Sequence, residues 1–312
     1  MSVSPTFLNL PITISAQVLE KVEPVDLLAC RKVCRCLRAS IDRIGIHFDS
    51  ICFYLEDKDV TIYFDEIAVN YTSAENRDVR GKYKMIIRAT NFTERAFKDL
   101  GTALKHARKF YSEKGFIDQA AWATQFIDGA LKGNACVFVE KLELHKLLFS
   151  EIHSILPYFD AQSLRKVQLW ETDVWGQDPN AEENFERITQ MEQWQNVKTL
   201  GFQGTAFKFS IETLFHFESL SVEFDFFTEE NAIKIRDDLM KRDTFRRCEV
   251  WFNSSWFSTA QTFDPDGYHG HEYDIDYSND DGDDFSIRCK RVEFYDGDEE
   301  DLNPYELIIE KF

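Results

Sequence analysis

Hydrophobic positions change their period three times along the chain. After Leu10-Pro11, the residues Ile14, Val18, Leu19 and Val22 recur at helical spacing. Pro24 ends that run and suits the first turn of a second helix, whose start Glu23 or Asp26 favours. Leu27, Leu28, Val33, Leu37 and Ile41 continue the helical pattern, so two or three short helices are expected. From about Ser50 the pattern turns to β-branched and aromatic runs, "SICFYLE", "VTIYF" and "IAVNY", with "KYKMIIRA" as a further strand. Asp57 to Asp59 and Asp65-Glu66 read as the turns between them. "TERAFKDLGTALKHARKFY" places Phe97, Leu100, Leu104 and Ala107 on one face and predicts an amphipathic helix over 93–111. "FIDQAAWATQFIDGAL" predicts another, ending near Gly133-Asn134.

The third pattern is a repeat. Apolar-x-x-apolar-x-apolar occurs at Val139, Leu142, Leu144 and at Leu164, Val167, Leu169. It returns at Val197, Leu200, Phe202, at Phe217, Leu220, Val222, and at Phe245, Cys248, Val250. Helix-like stretches such as "SEIHSILPYF", "NFERITQMEQW" and "EENAIKIRDDLMKR" separate the copies. Helix then short strand, repeated, is the sequence form of a parallel α/β solenoid. The steps of 25, 33, 20 and 28 residues are irregular, and the asparagine of a regular leucine-rich repeat is missing. An ordinary α/β sheet with chance periodicity is the alternative. "FSIRCKRVEFYDG" and "YELIIEKF" read as closing strands.

These periods give an α/β protein in three parts. A short helical module at 8–48 is followed by a strand-rich spacer at 49–94 and an irregular leucine-rich-repeat-like α/β domain at 95–312. The helical module is too small to be robust alone and should lean on its neighbour or on a partner.

Charge narrows the partners. The 312 residues carry a formal net charge of −19, which disfavours nucleic acid bound through a broad basic surface. Residues 264–312 hold 17 acidic against 4 basic side chains, while 1–48 hold 6 basic against 4 acidic. No apolar run approaches the roughly 18 residues of a membrane span, and the start lacks the form of a secretory signal. The expected setting is cytoplasm or nucleus, with reduced cysteines and meaningless sequons at Asn70, Asn91 and Asn253.

Cys30, Cys34 and Cys36 cluster in "PVDLLACRKVCRCLRASI". On one unbroken helix the first two share a face, and Cys36 lies about 160° away from Cys34. Three such thiols do not easily ligate one ion, and no matching Cys or His pair follows. Small packing residues are the simpler reading. No metal and no cofactor is expected.

The same segment resembles an F-box. Leu10-Pro11, Ile14, Val18-Leu19, Pro24, Asp26-Leu27-Leu28, then Val33-Cys34-Arg35 and Leu37-Arg38 follow its signature over about 8–48. Ile12-Thr13 stands where an acidic pair is usual, and Leu37 where tryptophan is frequent. The later "EKLELHK", "SLRKVQLWE" and "FESLSVEFDFFTEENAIKIRDDL" are similar to the FTH domain of F-box A proteins, a family expanded in nematodes. The resemblance implies docking to the adaptor of an SCF-type (cullin–RING) ubiquitin ligase, with the FTH domain recruiting a target protein. Leu10, Pro11, Ile14, Leu19, Leu27, Leu28, Val33 and Leu37 would form the adaptor contact and its supporting core. In "VWFNSSWF", Trp251, Trp256 and Phe257 are candidates for a target-binding rim, with core packing as the alternative.

No phosphate loop, dinucleotide fingerprint, zinc-protease motif or nucleophile elbow occurs in the chain. The residues give no positive argument for an enzyme, and the F-box resemblance implies a non-catalytic substrate receptor. A ligase-independent scaffold or translational regulator is the alternative. The acidic stretch 264–284 resembles an EF-hand only until Asn279 and Phe285, which occupy positions needing Gly and Glu. It reads as a solvated, mobile loop. A metal-dependent hydrolase using His269 and His271 is a weaker rival.

Overall fold

A computed structural model describes residues 10–56, 59–73, 85–114, 122–134, 136–173, 176–254, 259–267, 270–279, 281–292 and 305–312. The chain divides into two compact units, Met1–Leu142 with Ser154–Leu164, and Glu143–His153 with Arg165–Phe312. Among the described residues, no helix is long and apolar enough to cross a membrane.

The first unit opens with α1 (Ile12–Leu19), α2 (Pro24–Cys30) and α3 (Arg35–Ile44). Pro24 occupies the first turn of α2, where its missing N–H costs nothing. A five-stranded array follows, in the order β5-β1-β2-β3-β4. Its strands are β1 (Phe48–Leu55), β2 (Asp59–Phe64), β3 (Ile67–Thr72), β4 (Met85–Arg88) and β5 (Ala107–Lys114). β1, β2 and β3 form an antiparallel meander, and β1 also pairs in parallel with β5. Asp59 is thus the first residue of a strand and not part of a turn.

α4 (Phe92–Ala103) is shorter than its hydrophobic face promised. It starts at a reciprocal cap: Asn91 accepts the Glu94 N–H at 3.1 Å and donates to the Glu94 carboxylate at 2.7 Å. A single 3-10 turn at Leu104–His106 then hands the chain to β5. "ARKFY" is therefore strand and not helix. In β5 the buried residues Phe110 and Ser112 alternate with less buried ones, and their backbones pair with Ile51 and Phe53. Sheet pairing decides the matter where side-chain periodicity does not. α5 (Trp122–Phe126) continues through a π turn to Leu131. Phe97 stacks on Phe53 at 5.3 Å and Phe126 on Phe110 at 5.8 Å, which closes an aromatic core.

The second unit is built on the repeat. β7 (Lys166–Trp170), β8 (Thr199–Gln203), β9 (Ser219–Phe226) and β10 (Arg247–Ser254) run parallel, and β13 (Tyr305–Lys311), β12 (Asp284–Arg291) and β11 (Tyr273–Ser278) add antiparallel strands. The register aligns repeat positions side by side: Leu169 opposite Phe202, Phe202 opposite Val222, Val222 opposite Val250. Every apolar position of the five repeat copies is buried, β6 (Lys141–His145) included. α6 (Phe149–Ile155), α7 (Ala181–Thr189), α8 (Glu192–Asn196) and α9 (Glu229–Lys234) supply the intervening helices, and α10 (Ala260–Phe263) precedes β11. The fold class is mixed α/β, with N-terminal helices ahead of a large sheet domain whose strand–helix alternation is leucine-rich-repeat-like.

Each of the first three repeat strands ends in a left-handed residue: Lys146 (φ 60°), Glu171 (φ 50°) and Gly204 (φ 74°). Lys146 and Glu171 donate their N–H groups to the Trp170 and Gln203 carbonyls, both at 2.9 Å. This backbone turn is a regularity that the apolar pattern does not carry. The acidic stretch also departs from expectation. It is not a loop throughout, because Tyr273–Ser278 forms β11 and pairs with β12 in register from Tyr273–Cys289 to Ser278–Asp284. Tyr273, Phe285 and Cys289 are buried there, and burial pushes the Cys289 thiol up to about 12.

Candidate docking surfaces

The N-terminal helices separate the candidate adaptor residues into two groups. Leu19, Leu27 and Leu28 are buried with Val25 and Ile41 and hold the helices together. Ile14 (42% exposed) and Val33 (72%) face outward, as does Val18 (44%), which sequence reasoning had left out of the contact set. Pro11 is exposed, while Leu10 and Leu37 are half-buried. Exposed apolar side chains on a small helical module form a surface able to bury against a partner.

The cysteines do not share one helix. α2 stops at Cys30, and Cys34 is the N-cap of α3, its Sγ accepting the Leu37 N–H at 3.4 Å. The unbroken-helix geometry expected for them is therefore corrected: the chain turns between Cys30 and Arg35. Arg31 spans that turn with two bonds to the Asp42 carboxylate, 2.5 and 3.1 Å. Among the described residues, no group of His, Cys, Asp and Glu is arranged to hold a metal ion.

One buried carboxylate fastens this module to the rest of its unit. Asp99, on α4, accepts from Lys32 in the α2–α3 turn at 2.7 Å, from the Tyr71 hydroxyl at 3.2 Å and from Arg95 at 3.4 Å. Burial, then the Asp99 charge, raises the Tyr71 phenol well above its ordinary value, so Tyr71 remains a donor. Nothing in the linear pattern marks Asp99 as a joint, because the two partners outside its own helix lie 67 and 28 residues away.

The second surface is a sheet face. On β7 to β10 the repeat side chains point into the core, and the alternate positions form the opposite face. Gln168, Gly201 and Ser221 lie side by side along one row, with Lys166, Thr199 and Ser219 along the next. Trp170 flanks this floor of small and polar residues on one side, stacked on His145 at 5.7 Å. Trp251 flanks it on the other, and its indole N–H donates to Glu249 at 2.8 Å. Phe252 points the opposite way, buried between Phe227 and Tyr305 at 5.3 and 5.8 Å. Trp251 is thus the one member of the proposed rim that the structure places, on the sheet face. Trp256, Phe257 and His269 lie outside the described residues. Trp170 was missed because it follows a repeat leucine and reads as one more apolar residue.

Comparison with known proteins agrees with both halves. Residues 7–49 match the F-box domain family, and residues 123–266 match the FTH domain family. The chain is similar to F-box A protein 224 of Caenorhabditis elegans, 22% identical over 296 residues that cover 88% of this chain and 71% of the relative. No solved structure matches the chain. The chain thus carries an F-box domain over its exposed N-terminal helices and an FTH domain over its strand–helix repeats.

Proposed function

We propose that this F-box protein is a non-catalytic substrate receptor of an SCF-type ubiquitin ligase. The F-box binds the adaptor subunit, and the C-terminal domain holds a target protein for modification. The observation carrying this reading is the exposure of Ile14 and Val18 on α1 and of Val33 in the α2–α3 turn, within the segment that matches the F-box family. Three outward apolar side chains on a module of about forty residues favour a partner's groove over water. The Asp99 anchor supports it further, since it holds the docking helices to the rest of their own unit.

The test is co-purification of the full-length protein with an SCF adaptor. Leu27 and Leu28 are poor probes, because charge at those buried positions unfolds the module itself. Ile14→Asp/Val33→Asp alters exposed positions, and its unfolding free energy should stay within about 0.5 kcal/mol of wild type. Capture of the adaptor by wild type and its loss in the double variant is the expected result. Equal capture by both would remove these side chains from the contact. A folded wild-type protein that binds no adaptor would favour the ligase-independent scaffold.

A further inference from the structure

Where β7 and β8 end, the second unit opens into a cleft of about 450 Å3, within the ordinary range for ligand sites. Openings at the carboxyl ends of parallel strands are where α/β sheets usually bind. The wall is aromatic. Phe149, Phe202 and Phe209 line it, and Phe185 stacks on Phe209 at 4.1 Å. Phe209 is only half-buried, so part of its ring faces the opening. The mouth is acidic: Asp173, Glu182 and Glu186 stand there against a single Lys208. Glu182, Glu186 and Lys208 are exposed, and none has an ion-pair partner among the described residues. Asp173 is fixed, accepting the Asp178 N–H at 2.9 Å.

Two features of this wall are costly for stability alone. Thr172 Oγ1 is fully buried with no hydrogen-bond partner among the described residues. Its neighbour Asp173, which also lines the cleft and is not glycine, adopts left-handed backbone at φ 51°, outside the turn that the repeat strands share. Unsatisfied and strained positions gathered at one opening are the pattern of a binding site rather than of a packed core.

We propose that this cleft is the anchor pocket for the recruited protein. It takes an aromatic side chain of that partner, flanked in sequence by lysine or arginine. The ring displaces water from the phenylalanine wall, and the flanking cations meet Asp173, Glu182 and Glu186. A chain of net charge −19 favours a basic partner at long range as well. The proposal rests on the receptor reading and names the chemistry that the receptor selects.

Ligand-observed NMR on the full-length protein tests it, with three capped tripeptides as probes. Lysine–phenylalanine–lysine should bind at least about tenfold more tightly than lysine–alanine–lysine, from burial of one ring. It should bind more tightly than glutamate–phenylalanine–glutamate as well. Ala206→Trp, which fills the cleft from its lining, should abolish binding. Glu182→Gln/Glu186→Gln should weaken the lysine probe about two- to fivefold, the size of exposed charge pairs. That double variant changes exposed side chains only, so it decides the question even where Ala206→Trp fails to fold. Equal binding of all three probes, no binding of any, or affinities unmoved by the charge variant would overturn the proposal. Adaptor capture is measured on the same preparations. Failure of the probes with adaptor capture intact sinks the cleft alone, and the reverse sinks the receptor reading.

Discussion

A methyl group added to Gly101 would stand 2.5 Å from the Ala130 carbonyl oxygen, a backbone atom that cannot turn aside. α4 and the π turn after α5 approach so closely there that only hydrogen fits. Gly101→Ala should therefore cost about 1–3 kcal/mol, the usual range for overpacking, read from the urea midpoint at unchanged slope. His216 provides a residue-scale test of pH. Burial, and to a lesser extent Arg242, depresses its pKa below the ordinary 6.5, although its ring nitrogen lies 3.1 Å from the Trp194 carbonyl. Above pH 6.5 the ring is neutral in both folded and unfolded chains and adds no pH dependence. As pH falls through 6.5 the unfolded chain takes a proton that the folded ring resists, so stability is lost towards the lower folded value. His216→Gln should flatten the loss of stability between about pH 7 and pH 5 relative to wild type. An unchanged slope would place the acid sensitivity on other groups.

Among elements, the joint between the F-box helices and α4 makes the sharpest prediction. Asp99 is buried and receives three donors, so Asp99→Ala leaves the buried Tyr71 hydroxyl without its acceptor and should cost about 1–3 kcal/mol. Lys32 is 40% exposed, and Lys32→Ala should cost less than about 1 kcal/mol. Chemical denaturation of both variants checks the asymmetry, and equal losses would mean that the ion pair itself dominates. The same joint marks the limit of what the linear pattern reveals. Apolar positions with a period were legible: all five repeat copies point into the core, and the short N-terminal helices lie where their leucines recur. Features set by distant partners were not. Residues 107–111 keep a helical face yet pair with β1, and Tyr273–Ser278 is polar in composition yet pairs with β12. The left-handed turns at Lys146 and Glu171 are invisible because neither residue is the glycine that such a backbone favours. The F-box surface was legible as a set of residues, and only burial separated Ile14 and Val33 from Leu27 and Leu28.

For the whole molecule, the deciding quantity is charge. A net of −19 at neutral pH sets like charges against each other throughout the chain, and 264–312 alone contributes −13. Local ion pairs work in the opposite direction, and several join partly buried groups, such as Lys290 with Glu306 at 2.7 Å and Lys311 with Asp283 at 2.7 Å. Salt distinguishes the two. It screens exposed charges at separations beyond about 10 Å at 0.1 M, but acts much less on partly buried pairs in contact. The diffuse repulsion should therefore fade first, and the melting temperature should rise as sodium chloride increases from about 0.02 to about 0.3 M. Scanning calorimetry measures this directly. A fall in melting temperature would mean that exposed ion pairs, such as Arg288 with Asp274, contribute more than the net charge costs. The same screening should act in the opposite sense on capture of the proposed basic partner, which the field that strains the fold would draw in. Salt that stabilises the fold should slow association with the proposed lysine-flanked segment, and a stopped-flow series over the same range should show the two effects moving in opposite directions.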